Sequence, residues 1–554
     1  MVSLHLAASA LLTAALASAQ TPPVVDVGYA QYQGFVDTAT NITQFLGIRY
    51  AAPPIGDLRF RAPQHPANET GLQLATFQPN WCMQSGDGTS PTNPLRKREA
   101  AQAPEDCLFL NVYYPSDAVG TPPRGLLPTL VWIHGGGYIA GAAIGASGED
   151  VVRQGNRGIV VVVIQYRLGI AVPFEHDLTS EMFVGFLAGS AVKKNGNLNA
   201  GLLDQEFALR WVNQHISKFG GDPSKVTIWG QSAGAGSVLQ HVIANGGKTK
   251  PQLFRGAITS STFLPPQYNY DDYVPEASYY PWGEMFSVLN TSFQWIFKQV
   301  VAQTNCTSAM DAMVCLRAVD PAVLSTVNSN INNAGFYGTF LTTPVVDGEF
   351  ITQRPTLSLL KGKVNGQALL SITNPNEGVD FVNQNVSTTA AQYAYDLFPN
   401  FGTIQAEIAG ALYKGVGSNL DQVNKIQGEC ANQDISSAIF ICPTANSPSR
   451  PACTATTYPY YWPNGVAPPF NNTAFINAFA QSFTSFIVNL DPNKKLNPTI
   501  LPPWSKYDIL TGNTAELVFN KTTSDQPDIR PLKTDGKLLE RCLFWESVGS
   551  LIGQ

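Results

Sequence analysis

Phe219 to Gly236, FGGDPSKVTIWGQSAGAG, constrains this chain more than any other stretch, because it sets one serine between two glycines where a strand gives way to a helix. Val226 to Gln231 alternates and β-branches like a short buried strand, and the GSVLQHVIA after Ala235 has helical periodicity. Gly230-Gln231-Ser232-Ala233-Gly234 therefore falls at the turn. Such a turn needs backbone angles that bulky residues resist, and small neighbours leave the Ser232 hydroxyl open to a reactant. Ser232 is the candidate nucleophile.

The flanking sequence supplies the sheet for that turn. LVWIH (130–134) and IVVVVIQY (159–166) are continuous β-branched runs suited to strands buried on both faces. Leu203 to Phe219 has a helical pattern, so strands and helices alternate in the order of an α/β fold. Val24 to Arg61 alternates like hairpin strands before Pro53-Pro54. Gly/Pro-rich linkers, internal repeats and heptads are missing, so residues 20–554 read as one large domain, with the less regular segments after Thr259 laid over the sheet. A net charge of -6 with 44% apolar residues leaves no electrostatic case for a nucleic-acid partner.

Residues 1–19 carry an apolar run too short to span a bilayer and end in Ala17-Ser18-Ala19, the small-x-small pattern of a cleaved secretory signal. No later segment offers eighteen uninterrupted apolar residues, so the reading is a secreted protein without a membrane anchor. Seven N-x-Ser/Thr sequons, at Asn41, Asn68, Asn290, Asn305, Asn385, Asn471 and Asn520, and eight cysteines agree with export. The cysteine spacings lack the CxxC pairs of a zinc site, so disulfides are expected and no metal or other cofactor.

Several stretches together resemble the type B carboxylesterase/lipase family, the cholinesterase-like branch of the α/β-hydrolases, and most of all its fungal secreted members. They are FLGIRYAAPPIGDLRF (45–60), EDCLFLNVY (105–113), WIHGGGY (132–138), YRLG (166–169), the run from Asn199 to Ser237, and NPNEGVDF (374–381). The resemblance implies an α/β-hydrolase fold, a large central and mostly parallel twisted sheet with helices on both faces. It implies a serine ester hydrolase working through an acyl-enzyme on Ser232, with a small-molecule or lipid-like ester as substrate. The amides of Gly136, Gly137 and Ala233 would receive the oxyanion, Glu377 would orient the catalytic histidine, and Ser260 would stand near them. It further implies disulfides Cys82–Cys107 and Cys306–Cys315, a weaker pairing of Cys430 with Cys442, and ion pairs Arg59–Glu105 and Arg167–Asp204. The loop from 83 to 106 is polar, with little apolar surface beyond Met83, Leu95, Ala100 and Ala101, which leans towards an esterase of soluble or modest acyl substrates rather than a lipase.

One part of the pattern is missing. The six histidines stand at 5, 65, 134, 176, 215 and 241, and none follows Glu377. Without a base a serine hydroxyl is a poor nucleophile at neutral pH. The family carries its histidine in an H-G-acid turn where this chain reads TANSPSRPACTATTYP (444–459), a run with almost no large apolar residues. Reading the codons of Ala452 to Tyr458 from their third bases permits Leu-His-Gly-Asp-Asp-Leu, the missing turn. A frame error in the coding sequence accounts for it; the rival is a catalytically dead, cholinesterase-like binding or adhesion protein. IAVPFEHDLTSEMFV (170–184) is a second departure, either a retained intron or a surface insertion. Sequencing the transcript across codons 440–470 is expected to return the shifted message, and an in-frame message encoding 444–459 as written here removes that explanation.

Overall fold

The computed structural model describes residues 21–82, 84–89, 106–170, 185–272, 293–398, 400–431, 438–440, 458–462, 467–508 and 511–553. The N-terminal segment expected to be a secretory signal, most of the 83–106 loop, positions 171–184 and positions 444–457 therefore lie outside the described residues.

Fourteen strands are present among the described residues. In chain order they are β1 (Val24–Asp26), β2 (Gln31–Gln33), β3 (Phe35–Asp37), β4 (Ile42–Arg49), β5 (Leu72–Leu74), β6 (Phe109–Pro115) and β7 (Leu127–Ile133). There follow β8 (Val160–Ile164), β9 (Gly221–Ser232), β10 (Gly256–Thr262), β11 (Ala368–Thr373), β12 (Ala438–Phe440), β13 (Ala515–Lys521) and β14 (Pro527–Lys533). Eleven of them form one sheet in the order β14-β13-β12-β11-β10-β9-β7-β8-β6-β4-β3, while β1, β2 and β5 make a separate small sheet. The run from β13 through β8 is parallel throughout, and antiparallel pairing is confined to the two flanks. That arrangement is the α/β-hydrolase fold expected from the sequence.

Strict alternation divides the core. From β7, Val131 and Ile133 enter one apolar layer, and from β8 Val160, Val162 and Ile164 do the same. Leu130 and Trp132, with Val161 and Val163, enter the other. Adjacent side chains on a strand point to opposite faces, so an unbroken apolar run fills both layers at once. Helices cover each layer. Trp211 of helix Ala200–His215 and Val238 of helix Ala233–Ile243 pack into the first, and Phe475, Phe479, Phe483 and Phe486 of helix Thr473–Asn489 into the second. On the second face Trp229 stacks on Phe483, with ring centroids 4.6 Å apart and planes 7° from parallel.

The Arg167–Asp204 pair expected from the sequence is present and sealed, with both side chains 0% exposed. Arg167 Nε and Nη2 donate to the two carboxylate oxygens at 2.7 and 2.6 Å, and the Arg167 amide adds a third bond at 3.1 Å. Burial pushes the Asp204 carboxyl up and the guanidinium draws it back. The pair joins the exit of β8 to the helix that precedes β9. Glu105 lies outside the described residues, so its pairing with Arg59 is not seen; Arg59 Nη1 instead donates to the Arg317 carbonyl. Replacing Asp204 by Ala strands a buried guanidinium and is expected to lower unfolding free energy by about 3–5 kcal/mol. Urea denaturation of wild type and Asp204→Ala measures the loss.

Candidate active site

β9 runs to Ser232 itself, and the following helix starts at Ala233. The turn is thus tighter than the sequence suggests, with no linking residue between strand and helix. Ser232 carries it at φ 56° and ψ -125°, in the left-handed half of the backbone map where only glycine is at ease. Close approach explains its neighbours. A Cβ on Gly230 would stand 2.3 Å from the Gly234 carbonyl carbon, and one on Gly234 would stand 2.1 Å from the Ile133 carbonyl oxygen. The helix start is therefore pressed onto both its own strand and the end of β7.

The glycine run after β7 lies directly against this turn. A Cβ on Gly135 would be 3.0 Å from Ser232 Cβ. Gly136 and Gly137 adopt φ of 109° and 63°, and among the described residues their amides make no backbone hydrogen bond. Ala233 is the first residue of its helix, so its amide has no intrahelical acceptor, and the positive end of the helix dipole falls beside Ser232. Phe340 closes over the loop, its ring 2.1 Å from where a Gly137 Cβ would sit, and Phe263 and Phe381 meet that ring edge-on at 5.1 and 6.0 Å.

Glu377 follows β11 and is only 4% exposed. Its Oε1 accepts from the Asn374 amide at 2.8 Å and from Asn374 Nδ2 at 3.0 Å. Helix Asn419–Ala431 buttresses the turn so closely that a Cβ on Gly378 would stand 1.9 Å from the Asn424 carbonyl oxygen. From the same helix Lys425 Nζ donates to the Pro375 carbonyl, and burial lowers the Lys425 ammonium while Glu429 and Glu377 hold it up. β9, β10 and β11 are consecutive parallel neighbours, so Ser232 and Glu377 leave the same sheet edge two strand spacings, about 10 Å, apart. β12 is parallel to β11 and leaves that edge at Phe440.

Ser260 and Ser261 separate where β10 bulges, Ser261 carrying a left-handed φ of 49°. Ser260 Oγ accepts from the Trp229 indole at 3.0 Å, on the side of the aromatic layer. Ser261 Oγ accepts at 2.8 Å from Asn374 Nδ2, the same group that bonds Glu377. Ser261 is thus the hydroxyl linked to the acid turn, one position on from the serine that the resemblance suggested. Asn374, Lys425 and Phe340 were likewise not singled out from the sequence.

The two disulfides expected, Cys82–Cys107 and Cys306–Cys315, are formed. The described residues hold no cluster of His, Cys, Asp or Glu arranged to bind a metal. Cys430 and Cys442 have no described side chain.

Residues 21–433 match the carboxylesterase family. The chain belongs to that family. It is 28% identical over 596 residues to carboxylesterase patB of Aspergillus clavatus, a match covering 97% of this chain and 98% of that protein. It is 32% identical over 376 residues to secreted lipase 1 of Botryotinia fuckeliana, which covers 64% of this chain and 60% of that one. The chain thus spans less than two thirds of that lipase. Among solved structures, Aspergillus niger EstA superposes with a TM-score of 0.78 at 28% identity, over 96% of this chain and 99% of EstA. The family match ends at 433, just ahead of β12 and of the 444–459 run.

Each described histidine is engaged away from Glu377. His134 Nδ1 meets the Gly135 carbonyl at 2.9 Å and its ring stacks on Tyr166, and His241 Nε2 meets Gln205 Oε1 at 3.0 Å. His215 packs edge-on against Tyr29, and His65 against Phe207. Burial lowers His134 from 6.5 to about 4 and His241 to about 3. The unfolded chain takes up these protons below 6.5, whereas the folded chain refuses them until about 4 and about 3. Their contribution to stability is therefore complete above pH 6.5 and falls as pH drops through that window. His241→Gln, whose amide can still donate to Gln205, is expected to flatten the loss; melting temperatures at about pH 7 and about pH 5 compare the two slopes.

Proposed function

We propose that this protein is a secreted serine carboxylic ester hydrolase with Ser232 as nucleophile. The observation that carries the reading is the strained Ser232 turn abutting a glycine loop whose amides are unspent. A substrate carbonyl in front of Ser232 Oγ would have its developing oxyanion met by the Gly136, Gly137 and Ala233 amides, donors fixed in place before the reaction begins. Glu377 orients a histidine that accepts the Ser232 proton, passes it to the departing alcohol, and then activates water to release the acid. The base belongs on the edge shared by β9 and β11, the edge at which β12 also ends, and the chain downstream of β12 carries the run in which the H-G-acid turn is missing.

Family membership and the relatives' names support ester hydrolysis. Phe340 stands over Gly137, braced edge-on by Phe263 and Phe381, and such a cover favours modest acyl groups. Export is supported by the N-terminal pattern, by the two disulfides and by the sequon side chains. Asn41, Asn68, Asn305, Asn385 and Asn471 are exposed, while Asn520 is half-buried in β13. None of the six makes a side-chain hydrogen bond to another described residue, which fits carboxamides open to glycan. No described helix is long and apolar enough to cross a membrane.

A second reading, a non-catalytic binding protein of this family, is favoured by one fact, the lack of any histidine after Glu377. Removing the base alone from a serine triad costs on the order of 10⁶ in turnover, so the two readings are far apart in an assay. Hydrolysis of p-nitrophenyl acetate by the chain carrying Leu-His-Gly-Asp-Asp-Leu is expected and should vanish in Ser232→Ala. The sequence as written should turn over slower by about that factor. Ser232-independent hydrolysis, or none in either form, rejects the enzyme reading.

A further inference from the structure

We propose that Gln84 is a positioning residue for the glycine loop, gripping its far end so that the Gly136 and Gly137 amides stay aimed in front of Ser232. The inference rests on the oxyanion role proposed for those amides. The loop from His134 to Gly141 holds four left-handed residues, with Gly136 at 109°, Gly137 at 63°, Tyr138 at 64° and Gly141 at 110°. Inside the loop, the Ile139 and Ala140 amides both donate to the Gly136 carbonyl, at 3.0 and 2.8 Å. That closes the inner turn but leaves Gly141 to be held from outside. A segment so far from the common backbone basins keeps its shape only where its surroundings over-determine it.

Gln84 supplies that hold with both ends of its carboxamide. Its Oε1 accepts from the Gly141 amide at 2.6 Å and its Nε2 donates to the Gly141 carbonyl at 2.8 Å. A primary amide is the side chain that can satisfy one residue's donor and acceptor together. Ser85 adds a third bond, its amide donating to the Ile139 carbonyl at 2.8 Å.

Gln84 is itself anchored within a closed circuit. Nε2 also donates to the Cys82 carbonyl at 2.6 Å, and Cys82 is joined through its disulfide to Cys107. The Cys107 carbonyl accepts from Gln165 Nε2 at 2.9 Å, and Gln165 Oε1 accepts from the Ala143 amide at 3.4 Å, two residues beyond Gly141. Just downstream, Gly88 exchanges bonds of 2.9 Å with Thr339 and Gly338, next to the Phe340 that covers Gly137. One short segment therefore holds both the loop and the ring above it. Gln84 touches no reacting atom and acts through Gly141.

Hydrogen–deuterium exchange of the 135–141 peptide, with melting temperature and p-nitrophenyl acetate kinetics, tests the assignment in wild type, Gln84→Ala and Gln84→Glu. The Glu variant keeps the size and the acceptor and loses the donor. Exchange in the 135–141 peptide is expected to rise at least about tenfold in both variants, while helix Ala233–Ile243 and the melting temperature stay put. In the histidine-bearing form kcat should fall by roughly 10² with KM nearly unchanged, the size of losing one oxyanion donor. Unchanged exchange in the loop, a rise spread over the whole chain with earlier melting, or a KM increase at constant kcat each overturns the proposal. Exchange reports on Gln84 even where Ser232-dependent turnover is missing, so failure of the enzyme reading remains a separate result.

Discussion

A non-glycine residue held at φ 56° is the constraint from which the site is built. Such backbone costs on the order of 1–3 kcal/mol and persists only when its neighbours leave no relaxed alternative. Here the alternatives are closed by contact. Gly230 and Gly234 let the helix start lie on its own strand, Gly135 lets the β7 loop lie on Ser232, and the Phe263 amide donates to the Ser232 carbonyl at 3.1 Å. A side chain at any of those glycines would separate the pieces that hold the turn. The same tightness that strains Ser232 also puts the first helical amide next to it and presses the glycine loop onto it at Gly135, so strain and proposed chemistry have one cause.

The sheet extends that geometry to residues far away in sequence. Parallel strands deliver their C-terminal ends to one edge, so Ser232 after β9 and Glu377 after β11 become neighbours although 145 positions separate them. β10 lies between and contributes Ser261, tied through Asn374 to the Glu377 carboxylate. Behind the edge, the sealed Arg167–Asp204 pair fixes the helix that feeds β9, and Trp229 locks the strand to the second layer through Phe483. Edge and interior thus act on the same few backbone positions.

What could be read from the chain follows from the range of the forces involved. The Ser232 turn, the β7 and β8 strands and the sealed ion pair are legible because each is written in adjacent residues or in a pattern of fixed period. The ends of elements are less so: β9 begins at Gly221, well before the alternating run, because that residue pairs with Leu127. Ser260 and Ser261 stand in tandem, and no local signal marks the bulge at which Ser261 takes φ 49° and meets Asn374. Gln84, Lys425 and Phe340 carry no local signal. Their roles arise where a loop returns to touch Gly141, Pro375 or Gly137, and such contacts are set by tertiary packing alone.

The missing base can be weighed on the same physical grounds. His134 and His241 offer no substitute, since both are sealed and held neutral by burial to about 4 and about 3, with His134 Nδ1 turned to Gly135 and His241 Nε2 to Gln205. The strained serine, the glycines packed at contact distance and the loop amides with no acceptor among the described residues are features that the proposed ester chemistry would use. Each of those features costs stability, and together they make sense where charge develops beside Ser232. The departure, by contrast, lies past residue 433, where the family match ends, in a run whose codons read from their third bases permit an H-G-acid turn. The proposed change in the coding sequence would reconcile the absent base with the strain kept at Ser232.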